Sequence, residues 1–131
     1  MTHPHEDLVR RYYAAREAGD RDGIRTVVAD DVAWHDPYPP PHGGELQGLD
    51  NVFAQIFDAA GDITKEPPRF TLHAVLANDE HAAAIVEWTA TMPEKGSMVG
   101  QEVGVFHFAA GKIREVWFFP EDHHAYREFF S

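Results

Sequence analysis

Residues 101–117 read QEVGVFHFAAGKIREVW, two runs rich in β-branched and aromatic residues broken by Ala109-Ala110-Gly111. Such side chains suit a pleated, half-buried surface, and so short a break between two such runs marks an antiparallel hairpin. Alternation places Glu102, Gly104 and Phe106 on one face of the first run and Val103, Val105 and His107 on the other. Both faces are largely apolar. A sheet of that kind is covered on both sides, so helices are expected on one face and a second copy of the chain on the other. Trp117 and Phe119, on one side of the second run, suit that outer surface.

Outward from this hairpin the same pattern predicts four strands: Arg69 to Ala77, Ala82 to Met92, Ser97 to Phe108 and Lys112 to Phe119. Turn signals at Asn78-Asp79-Glu80 and Pro93-Glu94-Lys95-Gly96 join the remaining neighbours into an antiparallel meander. Pro120 closes the last strand, and Glu121 to Phe130 forms either a short terminal helix or a packed aromatic tail. The first half has helical spacing instead. From Pro4, an apolar stripe of Leu8, Val9, Tyr12, Tyr13 and Ala15 runs toward a stop at Gly19. Asp20 caps a second helix carrying Ile24, Val27 and Val28, which the Asp30-Asp31 pair ends, and a short strand follows over Val32 to Asp36. After a proline loop to Gly44, Asp50 caps a third helix with Val52, Phe53, Ile56, Phe57 and Ala60 on one side, stopping at Gly61. Helices first and strands after predict an α+β fold, and the 131 residues a single domain spanning 1–131.

Composition narrows the partners. The formal charge is -11, so a nucleic-acid backbone or an anionic membrane would repel the chain. There is no cysteine, which removes disulfides and thiolate chemistry and fits a reducing cytoplasm. The N-terminal residues lack the basic and apolar regions of a signal peptide, and no apolar run is long enough for a bilayer.

Residues 33–44, AWHDPYPPPHGG, hold the densest chemistry. Asp36 is read either as a base at the mouth of an apolar pocket walled by Trp34, Tyr38 and Phe57, or as a strand-ending residue bonded to the turn that follows. His35 and Asp36 point to opposite faces of a strand, so His35, Asp36 and His42 make a poor metal site and no metal is expected. Glu102 between Val99 and Val103 is unusual on a central strand, since buried carboxylates need a partner or a proton. Arg114 and His107 are its candidate structural partners.

Three stretches carry a family resemblance: LVRRYYAAREAGDRDGIRTVVADDVAWHDPY (8–38), GLDNVFAQIF (48–57) and the opening hairpin. Together, in this order and spacing, the chain resembles the nuclear transport factor 2-like superfamily, and within it the SnoaL-like polyketide cyclases and ketosteroid isomerase relatives. The resemblance implies a cone-shaped fold, three N-terminal helices packed on a strongly curved, mostly antiparallel sheet. It implies proton transfer next to a carbonyl, with Asp36 of Asp36-Pro37-Tyr38 as base and Tyr12 as oxyanion donor. Tyr13 competes with Tyr12, because adjacent helical positions cannot both face the cone. The family's protonated acid falls on Gly104, and Glu102, roughly 7 Å along the strand, is the candidate second acid. Val86, Trp88, Phe106, Val116 and Phe118 are read as pocket wall or core. The expected ligand is a small, hydrophobic, carbonyl-bearing molecule handled without a cofactor by a homodimer joined through its outer sheet face. The alternatives are a non-catalytic binding module for an apolar ligand and a dimeric interaction domain.

Overall fold

Helix α1 (Pro4–Ala18) starts at a proline with a preset φ, His3 Nδ1 accepting from the His5 amide just ahead of it. It stops at Gly19, whose left-handed φ of 69° turns its N–H back onto the carbonyls of Ala15 and Arg16. The computed structural model to which this helix belongs describes residues 2–37, 44–58 and 68–129. Helix α2 (Arg21–Val27) is capped by Asp20, which accepts from the Gly23 amide at 2.9 Å.

The Asp30-Asp31 pair does not end that helix. The chain leaves it at Val28 and runs straight into strand β1 (Val28–Asp36), longer than the Val32 to Asp36 stretch expected. Val27 and Val28 are both fully buried and β-branched, and Val28 pairs with Ile113 across the sheet, so tertiary pairing outweighs the helical spacing. Strand β2 (Gly44–Gln47) pairs antiparallel with β1 and was not expected, four residues being too few to carry an alternation. Helix α3 (Leu49–Val52) continues as a π-helical turn over Phe53–Asp58. Its N-cap is Gly48, not Asp50. The turn out of β2 needs a φ of 92°, which glycine adopts freely, while Leu49 is drawn into the core and Asp50 accepts from Arg25 Nη2 at 2.6 Å. Ala60 and Gly61 lie outside the described residues.

Strands β3 (Arg69–Ala77), β4 (His81–Met92), β5 (Gly96–Ala109) and β6 (Lys112–Pro120) form the expected meander. Helix α4 (His123–Phe129) follows, so the described residues contain a fourth helix after the three N-terminal ones. The six strands make one sheet in the order β2-β1-β6-β5-β4-β3, antiparallel except where β1 runs parallel to β6. Register shifts in the β1–β6, β3–β4 and β5–β6 ladders increase local twist and bend the sheet. Its inner face packs Trp34, Val86, Phe106, Val116 and Phe118 against Val9, Tyr12, Tyr13 and Val52 of the helices. The outer face leaves Ile85, Val103 and Phe119 exposed. Among the described residues no helix is long and apolar enough to cross a membrane.

Candidate active site

Val9, Tyr12, Tyr13 and Arg16 recur at i, i+3, i+4 and i+7 of α1, the spacing that brings side chains onto one helical face. The first three are buried apolar or aromatic residues, and the fourth is a guanidinium. Arg16 Nη1 donates to the Tyr12 hydroxyl at 3.0 Å, and its head lies 5.3 Å from the ring centres of both Phe57 and Phe70. Those rings answer the cation with their π faces. Burial opposes the charge of Arg16, but Tyr12, Glu102 and Asp36 outweigh it and raise the proton affinity of the group.

The carboxylates come from two strands. Trp34 and Asp36 share the inner side of β1, while His35 points to the outer face. There His35 bonds Glu45 and Glu115, the latter at 2.7 Å, and stacks on Trp117 at 5.1 Å. Glu102 and Gly104 share the inner side of β5. Burial pushes the Glu102 carboxyl from its ordinary 4.5 to about 7, the negative charge of Asp36 adds to that, and Arg16 works against it. Burial likewise takes the Tyr12 hydroxyl up to about 12, against the lowering effect of Arg16 and with smaller contributions from Glu102 and Asp36. Asp36, Glu102, Tyr12 and Arg16 therefore share one electrostatic field. Neither structural partner anticipated for Glu102 is engaged with it. Arg114 pairs with Asp31 at 2.9 Å, and His107 stacks on His81.

The aromatic wall is continuous. Trp34 meets Tyr12 at 5.9 Å, Phe57 at 6.5 Å and Phe118 at 5.2 Å between ring centres, and Phe106 meets Tyr13 and Phe118. Val86 stands opposite Glu102 in the β4–β5 ladder, and Val116 is fully buried in the core beneath. Trp88 is set apart from this group. It lies across from Gly100, edge-on to Tyr126 of α4, in a groove that also includes Met98 and Pro120. Tyr38 and His42 lie outside the described residues. Among those described, no three His, Asp or Glu side chains come together as metal ligands would.

The sequence reading passed over Arg16. The signal was a charged residue at the i+7 position of an otherwise apolar stripe. The expectation that only one of the adjacent tyrosines could face the interior does not hold: the rings of Tyr12 and Tyr13 meet edge to face at 4.9 Å, and both side chains are buried, since the two positions lie side by side on the inner face of α1. Their hydroxyls differ. Tyr12 is held by Arg16, whereas the Tyr13 hydroxyl and the Trp34 indole N–H are buried polar atoms with no hydrogen-bond partner among the described residues.

Residues 9–116 match the family model described as the SnoaL-like domain. The chain belongs to this family. Among solved structures, the SnoaL-like chain is similar to Bal32a from a soil-derived mobile gene cassette, with 27% identity over 98% of this chain and 97% of that one and a TM-score of 0.88. It shares its fold with an NTF2-like protein from Burkholderia pseudomallei (22% identity, 95% of each chain, TM-score 0.83). The same holds for TerC co-crystallised with polyporic acid (16% identity, 96% of this chain and 97% of that one, TM-score 0.83). No curated protein gives a significant match.

Proposed function

We propose that this SnoaL-like domain binds a small, hydrophobic, carbonyl-bearing molecule between α1 and the inner sheet face and moves a proton next to its carbonyl without a cofactor. Asp36 takes the proton from the carbon beside the carbonyl, and the electron pair it leaves moves onto the carbonyl oxygen. Tyr12 and Glu102 stabilise that developing oxyanion by hydrogen bonding, and the proton returns to the ligand at a conjugated carbon. Trp34, Phe57 and Phe106 supply the apolar walls. One observation carries this reading: a carboxyl held near pH 7 by burial and by Asp36, in the field of a tyrosine and an arginine. A group so placed is a proton donor at neutral pH. The co-crystallisation of TerC, a chain of the same fold, with polyporic acid lends support to a small-molecule ligand.

Mass spectrometry of small molecules retained by the purified protein tests the binding, and turnover of a retained carbonyl compound tests the chemistry. Asp36→Asn keeps the shape of the side chain and removes its basicity, so turnover is expected to fall by at least about a hundredfold with affinity nearly unchanged. Equal turnover by the variant and the wild type would remove Asp36 from the mechanism. Bound ligand without turnover in either would leave the domain a binding module. The Arg16 bond to the Tyr12 hydroxyl favours that second reading, because it gives the oxygen a structural role as well.

The proposal extends to the assembly. The apolar outer face, with Ile85, Val103 and Phe119 exposed beside Trp117, is the surface a second copy of the chain would cover.

A further inference from the structure

Tyr13 is 2% exposed, yet its hydroxyl has no hydrogen-bond partner among the described residues. A buried phenol oxygen left without a partner costs stability, and a phenylalanine would pack the same ring without that cost. The surroundings accommodate the hydroxyl all the same. It lies over Gly104 on β5, so close that a Cβ there would stand 2.8 Å from the Tyr13 oxygen and 2.9 Å from Phe106 Cε1. The backbone of Gly104 has no positive φ that would by itself demand glycine, so the missing side chain is a matter of space. Phe70 and Phe106 meet the Tyr13 ring edge to face at 5.1 Å and 6.1 Å and fix its aim. Burial pushes the proton affinity of this hydroxyl up, and the charge of Glu102, next along the same face of β5, adds to it.

We propose that Tyr13 determines specificity: its hydroxyl, lodged over Gly104, donates a hydrogen bond to an oxygen of the bound molecule and selects oxygenated ligands over hydrocarbons of the same shape. This rests on the reading that the interior binds a small molecule. It assigns to Tyr13 a role separate from that of Tyr12, whose oxygen Arg16 already holds. The ligand oxygen supplies the partner that the protein withholds. The two β5 positions then divide the work, Glu102 facing the proton-transfer end and the Gly104 gap admitting the recognition donor.

The test uses a matched pair of probes, 1-tetralone and tetralin, which share a fused two-ring skeleton and differ in the carbonyl oxygen. Their affinities are measured calorimetrically for the wild type, Tyr13→Phe and Gly104→Ala. The wild-type preference for the ketone is expected to fall about tenfold in Tyr13→Phe, through weaker ketone binding at unchanged tetralin affinity. Gly104→Ala, which must push the hydroxyl aside, is expected to lose the preference as well. Ligand-free Tyr13→Phe is expected to melt no lower than the wild type, since the hydroxyl gives up no protein partner. A preference that survives Tyr13→Phe overturns the assignment while leaving the binding reading intact, and so does a melting temperature several degrees lower. If neither probe binds the wild type, the binding reading falls and this assignment with it.

Discussion

A guanidinium in a stripe of buried rings destabilises a helix unless its charge is answered, and Arg16 is answered by two ring faces, a phenol oxygen and two carboxylates. Its charge keeps the Glu102 carboxyl from rising further than it does. Glu102 in turn links the site to stability. Its proton is held more tightly in the folded state, where it leaves near pH 7, than in the unfolded chain, where it leaves near the ordinary 4.5. The stabilisation this brings is complete below about pH 4.5 and is lost as pH rises through about 7. Glu102→Gln removes that dependence, so the variant is expected to gain on the wild type by on the order of 2 kcal/mol between pH 5 and pH 8. That figure is reduced from the full linkage value because water partly reaches the side chain. Urea unfolding at the two pH values measures it, and an equal difference at both would show that burial does not hold the proton.

The β5–β6 hairpin turns through only two residues, Ala110 and Gly111, both with positive φ, at 52° and 77°. This is the turn that matches the twist of its strands, and it places an alanine where asparagine or glycine is favoured. Ala110→Asn is expected to stabilise the protein by about 0.5–1 kcal/mol, read as a higher melting temperature with the fold unchanged. Destabilisation would mean that Ala110 makes contacts which outweigh its strained backbone. The strands it joins were legible as strands because alternation repeats over nine or more residues in each. Strand β2, with four, and the helix-to-strand change at Val28 were not, because pairing partners distant in sequence decide them.

The whole molecule carries an acidic surface and an apolar outer sheet face, and the two act in opposite directions on self-association. If a second copy covers that face, Phe119→Glu, which puts a carboxylate on each side of a two-fold contact, should convert dimer to monomer in sedimentation measurements. Added salt should strengthen the wild-type dimer by screening the net charge of -11 on each chain. A wild-type protein that sediments as a monomer at tens of micromolar would remove the second copy from the proposal. The outer hydrogen bonds of His35 to Glu45 and Glu115 sit on the same face and would be carried into the contact.

Hydrophobic period and turn chemistry, both local properties of the chain, determined the helices-then-sheet order and the meander, while the resemblance of three sequence stretches pointed to the family. The period also put His35 and Asp36 on opposite faces of one strand and grouped Glu102 with Gly104 and Phe106 on another, since alternation is a property of each strand alone. Packing decided which face is inner. Tertiary structure decided the relations between elements: that Arg16 holds Tyr12, that Glu102 answers to Arg16 and Asp36 and not to Arg114 or His107, and that Tyr13 lies over Gly104. The physical reason is that charge interactions and steric gaps depend on distances between segments far apart in sequence, and only packing the helices onto the bent sheet sets those distances.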